Sequence, residues 1–181
     1  RHELSEAYKA NRPPMPDALL EQVEPVQEFF RIIGLKEISL DGYEADDVLA
    51  TLAEHFKQDY DIVFVTIDKD YAQLVDDNAV IYDPMKNITL DKEAIFKKYG
   101  ILPEQFVDFL ALAGDPSDNI PGVRGIGEVT AVKLLKQYSN LDEIYAHLDE
   151  IPEKLRIKLI EGKDNAYLSR QLATIIRDVP I

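Results

Sequence analysis

The sequence predicts an α/β fold, in which helices flank a mostly parallel sheet and a small all-helical part follows. Up to about residue 113, short runs of β-forming residues alternate with segments whose apolar residues recur at helical spacing. After Gly114 no strand candidate remains, and four helical segments follow. Hydrophobic residues make up 46% and charged residues 30% of the 181 residues. This balance predicts one domain with a real core and a small appendage.

The first third of the chain is predicted to contain two helices and one short strand. The predicted elements are a proline-rich connection at 11–16, a helix at 19–33, a strand at 37–40 and a helix at 43–56. Pro25 should kink or split the first helix, because proline lacks the N–H that an interior turn needs, and Gly34 should end it. Residues 1–10 have helix-forming types but no cap.

The remaining elements follow from the same two periodicities. The continuous apolar run Ile62–Val65 is typical of a strand that is buried on both faces. Beyond it we predict a short helix at 71–75, a strand at 79–82 and helices at 91–99, 103–113, 126–138, 141–148, 152–161 and 164–177. The alternation of strands with helices favours parallel pairing in the sheet.

Acidic residues are concentrated in the middle of the chain. Lys and Arg number 20 and Asp and Glu number 34, a net charge of −14, and all of the excess lies within residues 13–119. A solvated acidic surface would explain this pattern. A group of facing carboxylates that needs cations would also explain it, because like charges at close range are unfavourable.

The composition excludes several classes of protein. Cysteine is absent, which excludes disulfides and thiolate metal sites. No apolar stretch approaches the roughly 18 residues that a membrane span needs. No basic start followed by an apolar run marks a secretion signal. We therefore expect a protein of the reducing cytosol with no membrane partner.

Three groups of carboxylates lie at the ends of predicted elements. They are Glu44, Asp46 and Asp47 at a helix start, Asp68 and Asp70 after the apolar strand, and Asp115 and Asp118 in a turn-forming loop. Each group has an ordinary structural explanation: helix capping, a polar loop that caps the next helix, and turn formation. In open α/β sheets, however, ligands bind beyond the carboxyl ends of the strands.

Taken together, the three groups indicate a metal site. Oxygen ligands without Cys or a nearby His select hard cations such as Mg²⁺ or Mn²⁺. The spacing does not match an EF-hand loop, which needs a glycine and a distal Glu that are missing here. A pair of such ions is suited to displacement at phosphorus. The residues thus indicate metal-dependent phosphodiester chemistry.

A glycine hairpin lies at residues 122–127, before the helix that carries Lys133 and Lys136. Closely spaced glycines let the backbone turn tightly and present N–H groups to an anion. The segment is not a Walker loop, since no Lys-Ser/Thr pair follows, and no strand precedes it as in a dinucleotide fingerprint. It is typical of a module that holds a DNA backbone without reading bases, or of an ordinary glycine-rich connection.

The motifs occur in the order of a known family. They are Gly42-Tyr43-Glu44-Ala45-Asp46-Asp47, Asp68-Lys69-Asp70, the segment from Gly114 to Val123, and Gly125-Ile126-Gly127. In this order they resemble the 5′-nuclease domain found in bacterial DNA polymerase I, a domain of the flap endonuclease family with a PIN-like α/β fold. The opening segment, residues 1–12, is similar to the helical arch of that family. The resemblance covers essentially the whole chain.

The resemblance implies a metal-dependent 5′-3′ exonuclease and flap endonuclease of DNA replication and repair, including Okazaki fragment processing. Members use two divalent cations and cleave near the junction of a 5′ single strand and a duplex. The implied metal ligands are Glu44, Asp46, Asp47, Asp68, Asp70, Asp115 and Asp118, with Asp68 and Asp115 also in catalytic positions. Lys9 and Arg12 match arch residues that contact the scissile phosphate.

The glycine hairpin matches the helix–hairpin–helix region of the family, which holds duplex DNA and can bind K⁺ through backbone carbonyls. The implied DNA contacts are Lys9, Arg12, Gly122, Arg124, Gly125, Gly127, Lys133 and Lys136. The resemblance also implies three parts: a remnant of the arch at 1–16, a nuclease core at 17–113 and a helix–hairpin–helix subdomain at 114–181. It implies a bacterial, nucleoid-associated protein, with a polymerase domain in the same parent chain.

Three departures from the family pattern affect these expectations. This sequence has no counterpart of the N-terminal segment that supplies two metal-binding aspartates and two central strands, so we expect weak metal binding and poor cleavage. Val129 replaces a common Lys, which removes one contact to the DNA backbone. Ile67 stands where a small residue is common and is expected to crowd the site.

Two alternatives fit parts of the pattern. One is a structure-selective DNA-binding module without chemistry, whose carboxylates only cap helices; the absent aspartates favour it. The other is a small metal-dependent phosphatase. The glycine hairpin and the arch-like basic segment argue against a phosphatase, because a small substrate needs neither.

Overall fold

The computed structural model describes all 181 residues. Its helices are α1 (Asp17–Leu20), α2 (Val23–Ile32), α3 (Ala45–Phe56), α4 (Lys92–Tyr99), α5 (Phe106–Ala113), α6 (Glu128–Tyr138), α7 (Leu141–Ala146), α8 (Glu153–Glu161) and α9 (Lys163–Ala173). The strands are β1 (Ile62–Val65), β2 (Ala79–Asp83) and β3 (Ile88–Leu90). Short 3₁₀ helices lie at Lys69–Leu74, Pro103–Gln105 and Leu148–Glu150. None of the helices has both the length and the apolar character that crossing a bilayer requires.

The sheet has three strands in the order β1-β2-β3 and is mixed. Strands β1 and β2 are parallel, with Ile62 opposite Ala79, as the alternation of strands and helices predicts. Strand β3 pairs antiparallel to β2 and was not predicted, because only three residues form it. Since β1 and β2 run in the same direction, the residues that follow both strands lie at the same edge of the sheet.

Two strand predictions are wrong. Residues 37–40 are irregular and largely exposed, because no neighbouring strand pairs with them. Strand β1 is not buried on both faces: Phe64 is buried, but the Val63 and Val65 side chains are 55% and 67% exposed. The strand lies at the sheet edge, and only one of its faces packs against the core.

The predicted helix at 19–33 is divided into α1 and α2, and the break precedes Pro25. Pro25 is the third residue of α2, where the backbone N–H has no acceptor within the helix, so it causes no kink. The predicted helix at 71–75 is a 3₁₀ helix that begins at Lys69, and the last helix ends at Ala173 instead of residue 177. Residues 1–12 form turns rather than a regular helix.

One hydrophobic cluster extends through the α/β part and the helical part. Helix α5 lies at its centre, with Phe106, Leu110 and Leu112 at most 2% exposed. After α9 the chain returns to the α/β part, where the Ile175 N–H donates to Gln73 and the Val179 N–H donates to Thr51. The loop after α5 contacts both parts: Asp115 pairs with Lys69, which follows β1, and the Gly122 N–H donates to Ser169 on α9.

Candidate metal centre

Three of the predicted carboxylates meet at one point. Asp70 lies in the 3₁₀ helix that follows β1, and Asp115 and Asp118 lie in the loop after α5. One oxygen from each of the three residues lies within 4.8 Å of the other two. We call these three residues the carboxylate cluster.

Two glycines make the Asp115 loop possible. Gly114 and Gly122 have positive φ angles of 77° and 62°, a region that only glycine enters easily. A Cβ on Gly122 would lie 2.3 Å from the Gly114 nitrogen, so the two backbones touch. Asp115 and Ile120 exchange backbone hydrogen bonds of 2.9 and 2.8 Å across this loop. The loop is thus closed tightly, and it directs Asp115 and Asp118 inward.

The cluster contains carboxylate oxygens that lack hydrogen-bond partners. Asp70 Oδ1 and Asp115 Oδ2 are buried without a partner, and Asp115 is only 2% exposed. Burial, with the nearby charges of Asp68 and Asp115, raises the pKa of Asp70 to about 7. Buried carboxylate oxygens without partners are unfavourable unless a cation or proton binds them. This donor set fits a hard divalent cation.

Basic side chains surround the carboxylate cluster. Lys69 Nζ lies 2.9 Å from Asp115 Oδ1, and Arg12 Nη2 lies 2.5 Å from Asp118 Oδ1. Lys9 forms an ion pair with Glu44 and lies 3.7 Å from Asp118 Oδ2. Protein cations therefore already contact two members of the cluster.

The opening segment is fixed against the acidic loop by backbone contacts. The Lys9 N–H donates to the Asp118 carbonyl at 2.9 Å, and Asn119 Nδ2 donates to the Ala7 carbonyl at 2.7 Å. Asn11 Nδ2 donates to the Pro116 carbonyl at 2.8 Å. Tyr8 is buried, so it packs in the core and does not offer a face to an unpaired base. Lys9 and Arg12 are thereby positioned beside the cluster.

The other four predicted metal ligands lie outside the three-residue cluster. Asp47 accepts hydrogen bonds from Arg1 at 2.7 and 3.0 Å and from the Ile176 N–H at 2.9 Å. Burial opposes its ionisation, but these bonds hold the pKa of Asp47 below its usual value. Glu44 is paired with Lys9 and Arg1. Both side chains are occupied by contacts within the protein.

Asp46 and Asp68, unlike Asp47 and Glu44, form no ion pair within the protein and are therefore better placed to bind a metal ion. Asp46 is half-buried and accepts a 3.0 Å hydrogen bond from the Tyr71 hydroxyl. Burial raises the pKa of Asp46, although the bond from Tyr71 acts in the opposite direction. Asp68 is exposed and caps the 3₁₀ helix by accepting from the Asp70 N–H at 3.0 Å. Ile67, expected to crowd the site, is 71% exposed at its rim.

The glycine hairpin is anchored on one side and open on the other. The buried Gly122 N–H donates to Ser169 Oγ at 2.9 Å, and Val123 is buried beneath the turn. Arg124, Gly125 and Gly127 are exposed, and Gly127 precedes α6. Lys133 and Lys136 are exposed on α6, and no carboxylate lies within 4.0 Å of either ammonium group.

Several residues of the site were not predicted. Lys69 contacts Asp115, Tyr71 orients Asp46, and Ser117 donates to Asp115 through its N–H and its hydroxyl. Lys69 stands between two aspartates in the sequence, which is the one signal that could have drawn attention to it. The contact between Arg1 and Asp47 joins residues 46 positions apart and has no local signal.

Comparison with known proteins places the chain among 5′-3′ exonucleases. A family model described as the 5′-3′ exonuclease N-terminal resolvase-like domain matches residues 1–100, and one described as the 5′-3′ exonuclease C-terminal SAM fold matches residues 101–181. DNA polymerase I of Caldicellulosiruptor bescii is 47% identical over 97% of this chain and 22% of the relative. The 5′-3′ exonuclease of Buchnera aphidicola subsp. Acyrthosiphon pisum is 41% identical over 100% of this chain and 66% of the relative.

The chain thus spans about a fifth of the polymerases that it matches and two thirds of that exonuclease. Among solved structures, bacteriophage T5 D15 protein co-crystallised with metal ions has a TM-score of 0.80 at 23% identity, over 95% of this chain and 68% of that one. The catalytic core of Rad2 in complex with DNA substrate has a TM-score of 0.56 at 19% identity, over 91% of this chain and 59% of that one. These likenesses confirm the predicted α/β fold with a helical C-terminal part. The match of one family model to residues 1–100 and of its C-terminal counterpart to the remainder shows that the chain belongs to the 5′-3′ exonuclease family.

Proposed function

We propose that this chain forms the greater part of a structure-selective 5′-3′ exonuclease and 5′-flap endonuclease, which hydrolyses DNA phosphodiesters with two divalent cations. The observation that carries the proposal is the carboxylate cluster, where two buried oxygens lack any partner. Such an arrangement is unfavourable by itself and is stabilised by a bound cation. DNA replication and repair, including Okazaki fragment processing, is the corresponding cellular role.

Asp70, Asp115 and Asp118 would hold one divalent cation, Mg²⁺ or Mn²⁺. Asp46, Asp68 and Glu44 lie in the adjoining part of the site and are the proposed ligands of a second cation, with Asp47 fixing the start of α3. Bound divalent cations supply Lewis-acid polarisation of a phosphate and activation of water. The protein supplies the placement of the carboxylates, through the sheet edge and the glycine-closed loop.

Lys9 and Arg12 are proposed to bind the scissile phosphate. Both are fixed beside the cluster, and each has a carboxylate partner that a cation would also neutralise. If Asp118 held a cation, the Arg12 guanidinium would be available to form charge-assisted hydrogen bonds with a phosphate. Stabilisation of the charge that develops on phosphate oxygens during cleavage is the expected contribution of these two side chains.

The glycine hairpin is proposed to hold duplex DNA. Arg124, Gly125 and Gly127 are exposed there, and the free lysines Lys133 and Lys136 follow on α6. Contacts of this kind position a duplex without reading its sequence. A K⁺ ion bound by backbone carbonyls of the hairpin is part of the same proposal, as is selectivity for a 5′ flap or a junction of single strand and duplex.

The proposal also covers the division of the chain into parts, its cellular location and the parent protein. Residues 1–16 would be a remnant of the arch, 17–113 the nuclease core and 114–181 the helix–hairpin–helix subdomain. The relatives named DNA polymerase I indicate a bacterial cytoplasmic protein that acts at the nucleoid, with a polymerase domain in the same parent chain.

Cleavage of a 5′-flap DNA labelled at its 5′ end tests the proposed function. The chain, and a longer chain carrying the family's N-terminal segment, are given the flap with Mg²⁺ or Mn²⁺. We expect cleavage by the longer chain that Asp68→Ala and Asp115→Ala abolish. Cleavage that survives both substitutions would contradict the proposal. Tight flap binding with no cleavage under any metal would favour a binding module without chemistry.

A further inference from the structure

A shallow depression between α4 and α6 carries three lysines. It has a volume of about 400 Å³ and is lined by Lys98 from α4 and by Glu128, Val129, Val132, Lys133 and Lys136 from α6. We call it the lysine groove. Lys98 comes from the α/β part of the chain, whereas the proposed DNA contacts Lys133 and Lys136 lie on the opposite wall. Only one carboxylate, Glu128, lines the groove.

None of the three ammonium groups forms an ion pair with a carboxylate. Lys9, Lys57, Lys69, Lys86 and Lys92 each have a carboxylate within 4.0 Å, whereas Lys98, Lys133 and Lys136 have none. All three are exposed. Three unpaired lysines around one depression form a positive surface that is complementary to a polyanion.

Shared residues connect the lining of the groove to the carboxylate cluster. Lys98 and Tyr99 also line a neighbouring depression that contains Asp68 and Lys69. Asp68 and Lys69 in turn line the depression that contains Asp70, Asp115 and Asp118. Lys86 lies along this path, although Asp83 at 3.4 Å partly neutralises it. The lysine groove and the carboxylate cluster are thus linked through neighbouring depressions that share lining residues.

The groove favours a duplex backbone over an unpaired strand. Single strands are bound by exposed aromatic rings on which bases stack. In the groove, Phe109 is 6% exposed, and Tyr99 packs edge-on against Phe106 with Lys98 over its ring. Phe96 is 46% exposed but does not line the groove, and the Lys136 ammonium lies 5.7 Å from its ring centre. Lysines that face a groove without a stacking surface contact phosphates.

We propose that Lys98 provides a second phosphate-binding wall opposite Lys133 and Lys136, and that the two walls guide the backbone of duplex DNA between α6 and the carboxylate cluster. This inference rests on the proposed function, and it extends the DNA-contacting surface from the glycine hairpin to α4. Each phosphate contact releases counterions, so its loss weakens binding uniformly and reduces the salt dependence.

Fluorescence anisotropy tests whether the lysine groove binds DNA. It measures the affinity for a short duplex of mixed sequence across a range of KCl concentrations, with EDTA present. We expect Lys98→Ala to weaken binding roughly fivefold to tenfold at about 0.1 M salt and to reduce the log–log salt slope by about one. Lys36→Ala is the matched control, because Lys36 is an exposed lysine without an ion pair that lines a different depression. We expect this control to bind like the wild type, and single-stranded DNA of equal length to bind less tightly than the duplex.

The absence of cysteine permits a direct second test. Iron–EDTA attached to Lys98→Cys should cut the bound duplex in one confined region through hydroxyl radicals, whereas the same reagent on Lys36→Cys should not. The proposal would be wrong if Lys98→Ala left the duplex affinity and its salt slope unchanged, or if the reagent at position 98 gave no confined cutting. A wild type that binds no duplex would overturn it too. Because these readouts involve no cleavage, the flap assay decides the proposed function separately.

Discussion

Asp70 is the carboxylate of the cluster whose ionisation is most strongly opposed by its surroundings. Burial and the neighbouring carboxylates raise its pKa to about 7, well above the unfolded value of about 4. The folded chain therefore binds a proton more tightly than the unfolded chain, and stability falls as the pH rises through that window. We expect Asp70→Asn to be more stable than the wild type at pH above 7 by roughly 2 kcal/mol, or about 4–8 °C in Tm.

The pH dependence distinguishes this effect from a simple packing change. Thermal unfolding in EDTA, followed by circular dichroism, should show the advantage of Asp70→Asn shrinking on acidification and vanishing near pH 4. Asp41→Asn, at an exposed carboxylate, should show no such trend. A difference in Tm that is equal at acidic and alkaline pH would contradict the linkage.

Lys69 is a second residue whose role can be tested, because its ammonium group occupies a position beside Asp115 that a metal cation could take. Its ammonium lies 2.9 Å from Asp115 Oδ1 while 40% of the side chain is exposed, so it can leave when another cation arrives. Lys69→Met keeps the stem and removes the charge. We expect Mn²⁺ to bind this variant roughly twofold to fivefold more tightly, since the competing ion pair is a partly exposed one worth about 0.5–1 kcal/mol. Calorimetric titration measures this, and weaker Mn²⁺ binding would contradict the competition.

The acidic members of the site and the basic residues Lys9 and Arg12 could be predicted, whereas Lys69 and Tyr71 could not. Asp70, Asp115 and Asp118 stand at element ends, where sheet topology brings distant segments together. Lys69 and Tyr71 have no comparable positional signal, because a lysine or tyrosine near a loop is usually solvated or part of the core. For Asp47, helix capping is what the structure shows: the Glu44 N–H donates to it at 3.1 Å.

Among the structural elements, the loop from Gly114 to Gly122 positions two of the three clustered carboxylates. Gly122→Ala would place a methyl group 2.3 Å from the Gly114 nitrogen and force a left-handed conformation on alanine. We expect a loss of at least about 3 kcal/mol and of Mn²⁺ binding. Gly127→Ala is the matched control: its Cβ meets nothing within 4 Å, and only a weaker helix cap, of the order of 0.5–1 kcal/mol, separates it from the wild type. Equal Tm values for the two variants would contradict this account.

The elements that could be predicted are those with a complete local pattern. Helix α3 and the helices after Gly114 have regular apolar spacing and are found close to their predicted positions, except that the last helix ends four residues early. The segment 37–40 resembles a strand in composition, but a strand exists only where a neighbour offers backbone partners. For β3 the opposite holds: three residues are too few for a pattern, and pairing with β2 alone makes them a strand.

At the scale of the whole molecule, Asp47 joins both ends of the chain to α3. It binds the Arg1 side chain and the Ile176 N–H, and it is 1% exposed. We expect Asp47→Asn to lose about 3 kcal/mol, because the buried Arg1 guanidinium loses its two-bond carboxylate partner and keeps only the 3.4 Å ion pair with Glu44. Since these bonds hold the pKa of Asp47 low, the wild type's advantage over Asp47→Asn should fade as the pH falls below about 4.

This variant also separates the two roles available to Asp47. If it serves the fold, Tm in EDTA falls while the affinity for Mn²⁺, measured below the unfolding transition, changes by less than about twofold. An unchanged Tm with lost Mn²⁺ binding would instead assign Asp47 to the metal, as the family resemblance implies. No local sequence pattern could decide this, because the partners of Asp47 are 46 and 129 residues away.

The distribution of charge predicts how the affinity of the whole molecule for duplex DNA depends on divalent cations. The net charge is −14, and the depression at the carboxylate cluster shares Asp68 and Lys69 with a depression that Lys98 also lines. Divalent cations neutralise the negative charge of the carboxylate cluster by binding to it, whereas K⁺ at equal ionic strength only screens that charge. We expect Ca²⁺ to tighten duplex binding roughly tenfold over matched KCl, because a bound cation turns local repulsion into attraction. Asp115→Asn should reduce that advantage and Asp149→Asn, at an exposed carboxylate, should not. Equal affinities in the two salts, measured by anisotropy, would show that the cluster and the DNA surface are electrostatically independent.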